Sequence, residues 1–128
     1  MYRLSYLSHL TYLHVTVTGE NTVRNVSLYL EEMHREAVSR GAKRLLIEDR
    51  LIGPRLPIFD VFDIVSAASV RSAGVFDAIA FVEFHGSGEL SQFVENVAVN
   101  RSAPLAVFRT VEDAERWLHS LGAGPATK

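Results

Sequence analysis

The sequence contains no cysteine among its 128 residues. This absence excludes a disulfide framework, a metal site built on thiolates and a cysteine nucleophile. Long apolar runs are missing as well, because no stretch approaches the roughly 18 apolar residues of a membrane-spanning helix. The first residues alternate polar and apolar side chains, which is not the pattern of a secretory signal peptide. We therefore expect a cytoplasmic protein.

Strong charge of either sign is also missing. Thirteen Lys and Arg residues face fifteen Asp and Glu residues, for a net charge of −2, and no basic block occurs, so we expect no nucleic-acid partner. The composition, 48% hydrophobic and 22% charged, suits one domain with one core. We predict that this domain spans residues 1–121 and that residues 122–128 form a flexible tail.

Two kinds of apolar periodicity divide the chain. Alternation with a period of two predicts strands, and apolar residues three or four apart predict helices. Asn21 or Thr22 is a suitable N-cap for the first helix, Gly41 suits its C-terminal end, and Pro104 stops the third. The predicted strands are 2–8, 11–18, 45–47, 78–82 and 105–108, and the predicted helices are 22–41, 57–73, 88–102 and 110–121.

The resulting order is ββαβαβαβα, which predicts a single α/β domain. Strands that alternate with helices imply crossover connections, so we expect a mixed, mostly parallel five-stranded sheet with four helices packed on it. The first strand follows a hairpin and should be the antiparallel one. Ligands of such sheets bind at the carboxyl ends of the strands.

Polar residues follow two of the predicted strands at that edge. Glu48, Asp49 and Arg50 come after one strand, and Glu83 and His85 end another. Asp49, Arg50, Glu83 and His85 could form a polar cluster of acid, base and cation at the strand tips. The alternative is that they are solvated strand ends. Glu48 and Asp49 should point to opposite faces, which argues against a paired-carboxylate catalyst.

Motifs of the common enzyme classes are missing. The five histidines lack metal-ligand spacing, and there is no Gly-x-Ser-x-Gly nucleophile elbow. Gly86-Ser87-Gly88 opens the third helix, but Ser91 stands where a dinucleotide fingerprint has its third glycine, so Ser87 is better explained as an N-cap. We therefore predict no catalytic residue, no metal and no cofactor.

The predicted helix 57–73 is apolar over more of its circumference than a one-sided surface helix needs. Together with the helix 88–102 it should either leave an exposed patch or line a groove, and the alternative is a generous core. The residues of this expected ligand or partner surface are Ile58, Phe59, Val61, Phe62, Ile64, Phe93 and Val97.

The element order resembles the SpoIIAA-like family of bacterial STAS-type domains, as do Gly19-Glu20-Asn21-Thr22, the strand Leu45-Leu46-Ile47-Glu48, and Phe108 spaced ahead of Trp117-Leu118. This resemblance covers residues 2–121 and implies a STAS fold. In the wider class a Ser or Thr at the start of the helix after the buried strand is phosphorylated. The matching stretch, Leu56 to Phe59, has no hydroxyl, so we expect no phosphorylation there.

The resemblance also implies a role. We expect a non-enzymatic regulatory or binding module that docks to a protein partner or forms a homodimer through the helix 57–73. SpoIIAA-like proteins are also similar to CRAL-TRIO lipid-binding domains. The alternative is therefore a small apolar ligand or lipid held between the helices 57–73 and 88–102, with peripheral association to a membrane surface. A third hypothesis is an enzyme that uses Asp49, Arg50 and His85.

Overall fold

A computed structural model describes residues 1–84 and 88–122, with the side chains of 88–90 left out. Within these residues the order ββαβαβαβα is confirmed. The strands are β1 (Tyr2–Ser8), β2 (Leu13–Glu20), β3 (Arg44–Ile52), β4 (Ala78–Glu83) and β5 (Leu105–Phe108). The helices are α1 (Val23–Ser39), α2 (Ile58–Ser72), α3 (Gly88–Asn100) and α4 (Val111–Ser120).

The strands form one mixed sheet in the order β1-β2-β3-β4-β5. β1 pairs antiparallel with β2, and the other pairs are parallel, as predicted. Because each right-handed crossover advances by one strand, α1, α2 and α3 share one side of the sheet. α4 returns across the other side, against β3, β4 and β5. We call the two sides the three-helix face and the α4 face.

Helix ends follow the local sequence closely. The Thr22 side chain accepts a hydrogen bond from the Asn25 backbone N–H at 3.1 Å, and the Thr110 side chain does the same for Asp113. Such caps satisfy backbone donors that a helix start leaves unpaired. Gly41, just beyond α1, has a φ of +72°, which glycine adopts without strain. Pro57 precedes α2 as its N-cap and is not its first helical residue.

The centre of the sheet differs from expectation. We expected the chain to emerge into water at Glu48, but β3 continues to Ile52. Glu48 and Asp49 are each only 7% exposed, so the interpretation as solvated strand ends is wrong for this pair. The physical reason is position: β3 lies between β2 and β4, and both carboxylates find hydrogen-bond donors on neighbouring elements. The prediction that the two side chains face opposite sides is confirmed by those partners.

Two clusters of buried apolar residues sandwich the sheet. The cluster on the three-helix face is the larger, and the one on the α4 face is smaller and rich in alanine. The first contains Leu13, Val15, Val17, Tyr29, Met33, Ala37, Leu45, Ile47, Leu51, Phe76 and Ile79. The second contains Tyr12, Leu46, Ala78, Ala80, Val82, Ala114 and Leu118. Among the described residues, no helix is long and apolar enough to cross a membrane.

Candidate functional site

A cavity of about 170 Å³ lies between α2 and the sheet. Its floor is the three-helix face of β3 and β4, represented by Ile47 and Phe81. α1 forms one side through residues such as Leu30, and Val94 of α3 closes the other. The roof is α2. Most of the lining is apolar, which is typical of ligand cavities with a few placed polar groups.

The packing of α2 explains why the cavity exists. This helix packs mainly against its neighbours α1 and α3. Of its 15 residues only Ser69 is buried, at 4% exposure. Its inward apolar residues are half-buried, although each follows helical spacing towards the sheet. They are Val61, Ile64, Val65 and Ala68, and all of them line the cavity.

The end of the cavity near the carboxyl ends of the strands is acidic. Asp49 and Glu83 are register partners on β3 and β4 and both line the cavity. The Tyr29 hydroxyl donates to Asp49 Oδ2 at 2.8 Å, and the Leu51 backbone N–H donates to Asp49 Oδ1 at 3.0 Å. Burial raises the pKa of Tyr29 well above its usual range, and the negative charge of Asp49 adds to the effect. Tyr29 therefore stays protonated and holds Asp49 in place.

The opposite end of the cavity is basic. Arg71 lies in the last turn of α2 and His34 lies on α1, and both line the cavity. Burial lowers the pKa of His34, and the nearby positive charge of Arg71 lowers it further. The His34 ring packs edge-on against Phe76, with 5.4 Å between ring centroids. Arg71 Nε is buried and donates to no acceptor in the part of the chain that the structure describes.

A separate polar network lies on the α4 face. His14 Nε2 and Glu48 Oε1 are 2.8 Å apart, and Arg50 Nε donates to the other Glu48 oxygen. The Arg50 guanidinium lies over the Phe84 ring, 4.4 Å from its centroid. Burial alone would raise the pKa of Glu48, but the hydrogen bonds and positive charges of His14 and Arg50 outweigh burial and lower it. The network satisfies a buried carboxylate and faces away from the cavity.

The structure divides the predicted strand-tip cluster between these two places. Asp49 and Glu83 lie side by side at the acidic end of the cavity. Arg50 pairs with Glu48 on the α4 face. His85 lies outside the described residues, as does most of the Gly86-Ser87-Gly88 turn. The described members therefore do not form one acid–base constellation.

The predicted apolar surface is divided as well. Val61 and Ile64 line the cavity. Ile58, Phe59 and Phe62 are exposed, and Phe59 is the most open at 82%. The remaining two belong to α3: Phe93 lies 6.4 Å from Phe62 between ring centroids, and Val97 is buried. The apolar surplus of α2 thus serves an internal cavity and an external patch.

Sequence reasoning missed the polar groups of the cavity. Tyr29 and His34 lie on α1, and no local motif in that helix indicates that it lines the site. Arg71 did leave a signal: it lies three residues after Ala68, so a charged side chain continues the apolar stripe of α2. A charge at such a position either reaches solvent past the core or meets a buried partner.

Comparison with known proteins adds no relative. Neither the protein-family models nor the curated proteins contain a match to this chain. The resemblance to the SpoIIAA-like family therefore stays a prediction, and the function has to be argued from the geometry of the site.

Proposed function

We propose that this protein is a binding module for a small apolar molecule held between α2 and the sheet. The observation that carries the proposal is the apolar cavity of about 170 Å³ under a helix with one buried residue. An apolar cavity of roughly 150 Å³ accommodates benzene, so this one suits a ligand of similar size or slightly larger. The apolar ligand that the SpoIIAA-like resemblance implies points in the same direction.

The energetics favour a ligand over an empty space. An apolar guest restores the dispersion contacts that the lining residues lose, and it removes its own apolar surface from water. We expected the ligand between the helices 57–73 and 88–102, and the cavity is lined by α2, by Val94 of α3 and by the sheet.

The two best-anchored polar groups of the cavity, Tyr29 and Asp49, suit holding better than catalysis. A general base must accept a proton near neutral pH. Tyr29 has a raised pKa, and both Asp49 oxygens already accept hydrogen bonds from Tyr29 and Leu51. These groups fix the shape of the acidic end of the cavity. We therefore propose a binding role without a chemical step.

A pair of matched substitutions tests the proposal. Ala68→Phe places a ring in the cavity, whereas Ala67→Phe places the same ring on the exposed side of α2. Isothermal titration calorimetry with 1-hexanol should show binding to the wild type and to Ala67→Phe, and none to Ala68→Phe. If 1-hexanol does not bind the wild type, or binds Ala68→Phe equally well, the proposal is wrong.

A second candidate function is protein docking through an outer patch, which we define as Ile58, Phe59 and Phe62. The observation in its favour is the 82% exposure of Phe59 at the start of α2. Aromatic side chains contribute strongly to protein interfaces when they become buried there. The partner that we propose for this patch is a second copy of the chain.

Sedimentation of two variants tests this docking. Phe59→Asp should make a self-associating protein monomeric, because a charge would be buried at the interface centre. Val70→Asp, at another exposed position of the same helix, is the control and should change nothing. A wild type that is monomeric at high protein concentration would exclude self-association.

A further inference from the structure

We propose that the ligand carries a carboxylate head group, which Arg71 binds at the basic end of the cavity. This inference rests on the proposed function and names its ligand class: a small amphipathic monocarboxylate.

Arg71 is a half-buried residue whose Nε is a buried donor without an acceptor among the described residues. Its Nε has no hydrogen-bond partner within residues 1–84 and 88–122, and the residue lines the cavity. Buried polar atoms are almost always hydrogen-bonded, and a guanidinium cannot lose its proton to escape the requirement. A carboxylate matches the planar fork of donors on an arginine better than any neutral acceptor does. The missing partner is therefore best supplied by an anion.

The neighbours of Arg71 favour the same occupant. His34 has a lowered pKa, so at neutral pH it carries no charge of its own and can offer a ring N–H. Ser69 and Ser72 also line the cavity and can donate through their hydroxyls. An anion at this end would find one full positive charge and several neutral donors.

The other end of the cavity attracts such a head group less, because the carboxylates of Asp49 and Glu83 outnumber the one cation there, Arg55. The register pair of Asp49 and Glu83 lies four residues further along β3 and β4 than the pair of Leu45 and Ile79. At roughly 3.3 Å per residue, the two pairs are about 13 Å apart along the strands. α2 runs back over the parallel strands, so Arg71 in its last turn lies near their starts. The charge gradient therefore orients the ligand, with its carboxylate at Arg71 and its apolar tail towards Ile47 and Phe81.

The volume limits the tail. A space of about 170 Å³ is only slightly larger than one that holds benzene, so a chain of about six carbons fits and a long fatty acid does not. Hexanoate is accordingly a suitable probe. 1-Hexanol has the same tail and a neutral head, and acetate has the head without the tail.

Calorimetry at pH 7 with these three probes tests the inference on the wild type and three variants. Arg71→Met removes the charge but keeps an apolar stem, Arg71→Lys keeps the charge but not the fork, and Arg55→Met is the matched control at the acidic end. We expect hexanoate to bind the wild type about 10-fold or more tightly than 1-hexanol, because hydrogen bonds to ionised groups are the strong ones. Acetate should bind far more weakly than hexanoate.

The variants should distinguish binding of the carboxylate head group from binding of the apolar tail. Arg71→Met should lose about 10- to 100-fold in hexanoate affinity while it binds 1-hexanol as the wild type does. Arg71→Lys should fall between the two, and Arg55→Met should bind both probes normally. The retained binding of 1-hexanol shows at the same time that each variant is folded.

Several results would overturn the inference. They are equal affinity for hexanoate and 1-hexanol, an equal loss of both in Arg71→Met, loss of hexanoate in Arg55→Met alone, and acetate binding as tight as that of hexanoate. Each of these leaves apolar binding in the cavity standing. Failure of both hexanoate and 1-hexanol to bind the wild type would instead refute the proposed function itself.

Discussion

Helices α4 and α2 cover opposite faces of the same strands, and they pack against them differently. On the α4 face, Ala114 and Leu118 have no exposed surface, and they meet a strand surface that includes Ala78 and Ala80. On the three-helix face, α2 buries only Ser69 and stands above a cavity. Both helices have apolar stripes with correct spacing, so spacing alone does not explain the difference.

The alternation of side-chain size along β4 does explain it. Ala78 and Ala80 point towards α4, and their small side chains let that helix approach the strand. Ile79 and Phe81 point to the other face, where bulky side chains line the floor of the cavity and hold α2 away. The apolar periodicity of a helix therefore decides which of its sides faces the sheet. The volume of the strand side chains decides how closely the helix packs against the sheet.

The largest expected effect on stability comes from truncating one apolar side chain on each of the two helices. Leu118→Ala should lower the free energy of unfolding by about 2–5 kcal/mol, because it opens a new cavity in a filled core. Ile64→Ala should cost about 1 kcal/mol or less, since this half-buried side chain already borders an empty space. Urea denaturation followed by circular dichroism measures both. Equal losses would show that α2 packs as tightly as α4.

Enlarging an alanine side chain should change the free energy of unfolding in opposite directions on the two helices. Ala114→Leu overfills the contact between α4 and the sheet, so we expect a loss of about 1–3 kcal/mol. Ala68→Leu fills part of the cavity and should raise the free energy of unfolding by about 0.5–2 kcal/mol. The same denaturation experiment serves here. Destabilisation by Ala68→Leu would contradict the presence of usable space beneath α2.

Glu48→Gln tests the polar part of the α4 face. It removes the charge that His14 and Arg50 stabilise, and we expect a loss of about 1–2 kcal/mol at pH 7. Because folding lowers the pKa of Glu48, this contribution is present above its usual value of 4.5 and is lost as the pH falls below it. Glu36→Gln, in a surface pair with Arg40, is the control and should cost about 0.5 kcal/mol or less.

Chemical denaturation at pH 7 and at pH 4 gives the necessary comparison. The difference between wild type and Glu48→Gln should shrink at the lower pH. A difference that stays constant would mean that Glu48 contributes through packing and not through its charge.

The smallest effect concerns His34 on the cavity side. Folding lowers the pKa of His34 below 6.5, so the unfolded chain binds the proton more readily. Protonation of His34 in the unfolded chain therefore lowers the free energy of unfolding as the pH falls below 6.5, and has no such effect at higher pH. His34→Gln should make stability less dependent on pH between 7.5 and 5.5, as measured by urea denaturation at both pH values. A larger pH dependence in His34→Gln would contradict this sign.

Local features of the fold were predictable because their causes are local. Thr22 and Thr110 cap helices through neighbouring backbone atoms, and Gly41 adopts a positive φ just beyond α1. The prediction that Pro104 stops α3 is wrong, because that helix ends at Asn100 and Ser102 already has a φ of +65°. The length of β3 was not predictable in the same way. Glu48 and Asp49 look like residues of a solvated tip, and their partners His14 and Tyr29 come from distant parts of the chain.

The candidate site was predictable only in part. Helical spacing placed Val61 and Ile64 on an apolar face, but it did not separate them from Phe59, which points to solvent. A cavity depends on the distance between a helix and the sheet, and the apolar spacing of the sequence does not predict that distance. Arg71 acquires its significance only from the burial of one nitrogen atom.

The loose attachment of α2 also has a kinetic consequence. A helix held at its sides by α1 and α3, with only Ser69 buried, can open as a unit while the sheet and α4 stay intact. Its backbone amides should therefore exchange with deuterium before those of β3, and a bound guest should slow that exchange. The exchange rate of α2 then reports whether the space beneath the helix is occupied.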